Sequence, residues 1–237
     1  MTTFVLVHGA WNGTHGMRLV RRRLQARGHE VFTPSLTGIG ERVHLAGPQV
    51  GLMTHVHDVV NTILYEDLTD IVLLGFSYGG MVVTGALDHI GDRVRHLVLL
   101  DAFLPDDGDS VRSLLGAGPA PAIALGEPWS VPPTARLYDD PDEAAFAAAR
   151  SSPHPAACFA EPVRLSRPLE AWPFTRTYVR ASADAPDAPG TAGFEAAVAR
   201  TKGSPAWRYA EIATNHMIPI NRPDELVAIL LDLAEVR

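Results

Sequence analysis

The stretch Ile71-Val72-Leu73-Leu74-Gly75-Phe76-Ser77-Tyr78-Gly79-Gly80 changes its period at the centre. Ile71–Leu74 is continuously apolar, as a strand buried on both faces is. From Gly80 onward the apolar residues recur at helical spacing. Between the two runs lies a G-x-S-x-G pattern, Gly75 to Gly79. A strand that turns sharply into a helix leaves no room for side chains beside the turning residue, so glycines flank it. The residue at the apex takes a strained backbone, and its side chain projects beyond the end of the strand. A glycine-rich turn with a capping serine would share the pattern. The strand before it and the helix after it favour an exposed nucleophile, Ser77.

Other apolar runs flank this one. Phe4–Val7, Glu30–Phe32, Asp70–Leu74, His96–Leu100, Arg176–Arg180 and Trp207–Ile212 read as strands. Met17–Arg27, Val50–Tyr65, Tyr78–Ile90, Gly193–Thr201 and Pro223–Val236 read as helices. Strand and helix alternate, which predicts an α/β fold of about six mostly parallel strands with helices on both faces. From 105 to 173 no convincing strand occurs. Prolines cluster there from Pro119 to Pro168, around short helical pieces such as Pro141–Arg150. That is too long for an ordinary connection. The expected organisation is a core of 1–104 and 174–237, with 105–173 as a helical cap inserted before the last two strands. Such a cap would lie over the carboxyl edge of the sheet, where open α/β sheets bind ligands.

Composition narrows the function class. The chain has 237 residues, 46% apolar and 20% charged, enough for a sizeable core. A net charge of −7 argues against a nucleic-acid or anionic-membrane partner, since either would want a basic stripe. Arg21-Arg22-Arg23 reads as the solvated face of a helix. Cys158 is the single cysteine, so neither an internal disulfide nor a thiolate metal cluster is expected. No apolar run approaches a membrane span, and the first residues lack the pattern of a signal peptide. The expectation is a cytoplasmic protein without metal.

A serine hydroxyl needs a base. Of the histidines, His216 is preferred, because its loop between the last strand and the last helix emerges at the same sheet edge as Ser77. His29 and His96 sit at strand entries. His44, His55, His57 and His89 are expected to be exposed, His154 lies in the cap, and His8 ties down its own loop. The base in turn needs an orienting carboxylate. Asp184 follows the strand Arg176–Arg180 in the chain order Ser, Asp, His and is preferred. Asp101, at the end of the strand beside that of Ser77, and Asp187 remain alternatives. Backbone N–H groups of Tyr78 and of Ala10, in the loop after the first strand, are the expected oxyanion donors. Gly9 lets that loop approach closely.

Together these features resemble the α/β-hydrolase superfamily along the whole chain. Val5-Leu6-Val7-His8-Gly9-Ala10-Trp11 and the proline-rich cap are similar to one group within it, the plant methyl esterases and hydroxynitrile lyases with their bacterial esterase relatives. Tyr178–Asp184 matches the strand and acid of that group, which supports Asp184. The elbow departs from the group at Phe76 and Tyr78, where His and Leu are usual. Lyases of the group carry a Thr at the position of Ala10 and a Lys after the histidine, where Met217 stands here. The resemblance therefore implies a serine esterase without cofactor, acting on a small to medium apolar or aromatic ester (or thioester). Trp11, Trp129 and Met217 are expected to line its pocket. A lyase, another carbon–carbon cleaving enzyme or a non-catalytic ligand-binding member is the alternative, and a homodimer is left open.

Overall fold

The computed structural model describes residues 1–118, 128–185 and 188–235. Asp187, Pro119, Pro121 and Val236 lie outside them. In chain order the strands are β1 (Thr3–Val7), β2 (Glu30–Phe32), β3 (Ile71–Phe76), β4 (Val94–Leu100), β5 (Ser130–Val131), β6 (His154–Pro155), β7 (Thr175–Ala181) and β8 (Arg208–Ile212). The α-helices are α1 (Arg18–Gln25), α2 (Leu52–Tyr65), α3 (Gly79–Ile90), α4 (Val111–Leu114), α5 (Pro141–Ala148), α6 (Ala157–Ala160), α7 (Thr191–Thr201), α8 (Ile218–Asn221) and α9 (Pro223–Glu235).

Six strands form one sheet in the order β2-β1-β3-β4-β7-β8, every pair parallel. Strand alternation divides its side chains between two apolar layers. Val5, Val7, Leu73, Leu97 and Leu99 pack against α2, α3 and α7. Phe4, Leu6, Val72, Leu74, Val98 and Leu100 pack against α1 and α9. The stripe that α2 offers to the first layer is Leu52, Val56, Val59, Val60 and Ile63, a helical period. Helix α9 starts on Pro223 with Asp224 and Glu225 in its first turn, where acids complement the helix dipole. Arg23 of α1 pairs with Asp224 at 2.7 Å, so the expected basic face is partly spent on the neighbouring helix.

The segment between β4 and β7 carries one correction. Strands were not expected in 105–173, yet β5 and β6 pair antiparallel, with Val131 opposite His154. Each is two residues long, too short to leave an alternating pattern in the sequence. Its prolines suit such a ribbon, because a strand at an edge can spare an N–H.

The topology fixes where a site can form. β1 lies beside β3 and leads away to β2, while β3 leads to β4 on its other side. The chain reverses direction across the sheet at this point, which opens a crevice at the carboxyl ends of the central strands.

Candidate active site

Ser77 sits one residue beyond β3, at a φ of 57°. A left-handed backbone at a non-glycine residue costs on the order of 1–3 kcal/mol and persists only where its surroundings hold it. Here the Ser77 N–H donates to Leu100 O at 3.1 Å, and its carbonyl accepts from Gly80 N–H at 3.1 Å. The glycines are sterically required. A Cβ on Gly75 would lie 2.6 Å from Val83 Cγ2, and one on Gly79 would lie 2.8 Å from the Val7 carbonyl oxygen. The same edge holds two more left-handed residues, Trp11 at 59° and Asp101 at 42°. Three of the five left-handed non-glycine residues among the described residues thus follow β1, β3 and β4 at this edge.

His216 reaches this point from the loop between β8 and α8. Its Nδ1 faces Asp101 Oδ2 at 2.6 Å and its Nε2 faces Ser77 Oγ at 2.9 Å. With Nδ1–H donating to the carboxylate, Nε2 is left to accept from the serine hydroxyl. Phe76 and Phe194 both stack on the imidazole, with centroids 4.8 and 5.0 Å away. They hold the ring plane.

The acid is where the structure corrects the preferred reading. Asp184 does not touch the imidazole; its Oδ1 accepts the backbone N–H of His216 at 3.0 Å. Asp101, the alternative, makes the ring contact. The reason is strand spacing. β4 is the immediate neighbour of β3, whereas β7 lies one strand farther out, about 5 Å more. Chain order could not separate the two, because Asp101 also falls between Ser77 and His216. Asp187 lies outside the described residues.

Asp101 is fully buried. Burial alone would raise its carboxyl. The His216 hydrogen bond, the Arg180 charge and the Ala181 N–H outweigh that and hold it below the usual aspartate value. Oδ1 takes both Arg180 Nη1, at 2.5 Å, and Ala181 N–H, at 3.1 Å. Arg180 also reaches Glu195 at 2.9 Å. Sequence reading overlooked this arginine, although a charge in a strand of the buried sheet needs a partner and was a usable signal.

The loop after β1 closes the other side. A Cβ on Gly9 would stand 3.0 Å from Ser77 Cβ, so only glycine lets the loop lie this close. Its N–H-bearing neighbour Ala10 and Tyr78, the residue after Ser77, offer amides that have no acceptor among the described residues. His8 behaves as expected: Nδ1 bonds the Gly9 carbonyl at 3.0 Å and Nε2 faces Leu36 N at 3.4 Å. Burial lowers its pKa to about 4, so it stays neutral.

His55 was expected at the surface and is fully buried. It faces inward because its nitrogens have partners there, the Tyr78 hydroxyl at 3.0 Å and the Thr37 carbonyl at 2.7 Å. Nearby, His154 from β6 accepts the Trp11 N–H at 3.3 Å and packs edge-on against Tyr78, with centroids 4.9 Å apart. One inserted histidine thus contacts Tyr78, which bears one of the two amides, and Trp11, which follows the other. His55, His154 and Cys158 approach closely enough to share an ion, as do Asp101, Asp184 and His216. In the first set both His55 nitrogens are already engaged, and in the second the carboxylates serve His216.

A cavity of about 510 Å³ opens over Ser77, within the usual range for small-molecule sites. Trp11 and Met217 line it, together with Ala144, Ala147 and Ala148 of α5. Trp129, expected there, is not part of its lining. Its carbonyl instead accepts Ala156 N–H at 2.8 Å, which ties it to the β5–β6 ribbon. Trp11 anchors the same ribbon, with Nε1 donating to Val131 O at 3.0 Å. Among the described residues no helix is long and apolar enough to cross a membrane.

Comparison with known proteins agrees with this fold. A carbendazim hydrolyzing esterase of Nocardioides sp. (strain SG-4G) is 48% identical over 124 residues, 52% of this chain and 51% of the relative. Methylesterase 8 of Arabidopsis thaliana is 31% identical over 117 residues, 45% of this chain and 40% of the relative. The chain thus spans about half or less of the length of the curated relatives it matches. Among solved structures, an extracellular alpha/beta-hydrolase from a Paenibacillus species superposes with a TM-score of 0.76 at 25% identity, covering 98% of both chains. The methylesterase MES16 from Arabidopsis superposes at 0.79 with 21% identity, covering 99% of both, which is a likeness of fold. The model of the alpha/beta hydrolase family matches residues 4–229. A parallel sheet, a strained serine at the end of its third strand and a family match over nearly the full length lead to one statement: this chain belongs to the alpha/beta hydrolase family.

Proposed function

We propose that this protein is a serine carboxylic ester hydrolase acting on a small to medium apolar or aromatic ester, or thioester. The observation that carries the reading is the unbroken hydrogen-bonded line Ser77–His216–Asp101, beside the Ala10 and Tyr78 amides, which have no acceptor among the described residues. Ser77 Oγ attacks the ester carbonyl while His216 Nε2 takes its proton. Asp101 fixes the imidazole tautomer and stabilises the imidazolium. The N–H groups of Ala10 and Tyr78 hold the tetrahedral oxyanion, each donor contributing about 10²–10³ in rate. His216 returns the proton to the leaving alcohol, and water repeats the attack on the acyl-enzyme. Asp184 acts on the backbone of His216 and is a positioning residue. Residues 105–173 serve as the lid, with α5 forming its inner wall.

Ala10 and Met217 support hydrolysis over cyanohydrin cleavage, since neither offers a hydroxyl or a charge to a departing cyanide. The names of the relatives fall on both sides, methylesterases and a pyrethroid hydrolase beside an alpha-hydroxynitrile lyase of Arabidopsis thaliana at 31% identity, so the choice rests on these two residues. The test is labelling with a serine-directed phosphonate together with turnover of short p-nitrophenyl esters. Ser77 is expected to be labelled and Ser77→Ala to lose turnover. An unlabelled wild-type protein that hydrolyses no ester would overturn the proposal.

A further inference from the structure

Arg136 is the one cation among the described residues that line the cavity over Ser77 and His216. A half-buried guanidinium in such a place calls for partners, because its desolvation is unfavourable and it carries five donors. Few are present. Among the described residues its side chain makes one hydrogen bond, from Nη1 to the Pro189 carbonyl at 3.3 Å, and no ion pair within 4.0 Å. Burial lowers its pKa, and the charges of Asp184 and Asp101 only partly offset that. Both acids have donors of their own. Asp101 is held by Arg180, His216 and Ala181, and Asp184 accepts the His216 N–H. Tyr138, two residues on, lines the same cavity, and its hydroxyl has no partner among the described residues. Ala144, Ala147, Ala148 and Met217 add apolar lining to the same cavity.

From this asymmetry we infer that Arg136 is a specificity-determining residue, and that the preferred substrate is an ester bearing a second, anionic oxygen group such as a carboxylate. The scissile ester sits at Ser77, the apolar body lies along α5 and Met217, and the distal carboxylate meets Arg136 with Tyr138 beside it. Guanidinium and carboxylate match as a planar, charge-assisted pair. The inference rests on the proposed esterase activity and refines its substrate.

Two methyl esters of like size separate the possibilities: monomethyl terephthalate, an anion at neutral pH, and neutral methyl 4-methylbenzoate. In wild-type protein, kcat/KM relative to each ester's own alkaline hydrolysis rate is expected to favour the anion. Arg136→Met should lower the anion-to-neutral ratio of kcat/KM by about tenfold or more, mainly through KM, the size of a lost charge-assisted hydrogen bond. Were Arg136 only a counter-charge for Asp101 and Asp184, both esters would slow together and the ratio would hold. A ratio that moves by less than about threefold, or a wild-type protein that disfavours the anion, overturns the inference. Loss of the esterase reading looks different: neither ester is hydrolysed and Ser77 resists the phosphonate. The wild-type comparison needs no variant, so a poorly folding Arg136→Met protein leaves the test intact.

Discussion

Replacing Asp101 by Asn should nearly abolish turnover, and the neighbouring contacts dictate how. The Asn side chain has one acceptor oxygen and one NH₂ donor. The Oδ1 position faces two donors, Arg180 Nη1 at 2.5 Å and Ala181 N–H at 3.1 Å, so the oxygen must stay there. The NH₂ is then turned toward His216 Nδ1, where the carboxylate oxygen now stands 2.6 Å away. To accept that hydrogen bond, the imidazole must carry its proton on Nε2, facing Ser77 Oγ. The base is gone while the geometry is kept. An equivalent tautomer reversal in a serine protease lowers kcat by about 10⁴; about 10³–10⁴ is expected here, or roughly 4–5.5 kcal/mol in the barrier. Asp184→Asn behaves differently. Its amide oxygen can still accept the His216 N–H, so the loss should stay near the ~1 kcal/mol of one neutral hydrogen bond, less than about tenfold. The assay is pre-steady-state acylation with p-nitrophenyl acetate, with active sites counted by phosphonate and folding checked by thermal melting. If Asp184→Asn loses three orders of magnitude while Asp101→Asn stays near wild type, the assignment of roles is wrong.

Further expectations concern the surrounding structure. His154→Phe keeps the ring packing but removes the acceptor of the Trp11 N–H; kcat should fall by about tenfold, with about 1–3 kcal/mol lost in denaturant unfolding. An unchanged kcat would separate the inserted ribbon from the oxyanion loop. Gly79→Ala forces a methyl group against the carbonyl oxygens of Val7 and His8; a loss of about 1–3 kcal/mol is expected, measured as a shift in urea midpoint at constant slope. Burial lowers the pKa of His8, His55 and His96 to about 4 and that of His154 well below its ordinary value. These rings stay neutral when folded and charge when unfolded. Their contribution is complete above about pH 6.5 and declines as pH falls toward 4. Unfolding near pH 5 should take up about three to four protons, read from calorimetry in buffers of different ionisation enthalpy. Asp101 runs lower on the scale. Its depressed folded pKa adds stability above the ordinary value of 3.8 that disappears as pH falls through the folded value. A melting temperature flat between pH 7 and pH 4 would contradict the histidine account. Mandelonitrile should yield no cyanide; release at a rate comparable to ester hydrolysis would favour the lyase alternative.

Much of this molecule is written in local pattern. Continuous apolar runs mark β1, β3 and β4, because strands buried on both faces have no polar side to show. The glycines about Ser77 betray the elbow, because a Cβ at Gly75 or Gly79 would collide with neighbouring atoms. Ser77, His216 and the loop bearing Ala10 follow from motif and position alone. The acid does not. Asp101 and Asp184 both end a strand, both precede His216 in the chain, and both lie within reach of the same edge. Only the order of strands in the sheet, with β4 beside β3 and β7 beyond it, decides which carboxylate meets the imidazole and which meets its backbone. The burial of His55 and His154, the departure of Trp129 from the cavity and the entry of Arg136 into it are decided in the same way. Each depends on partners far away in the chain, and a one-dimensional pattern carries no record of which distant atoms a side chain will find.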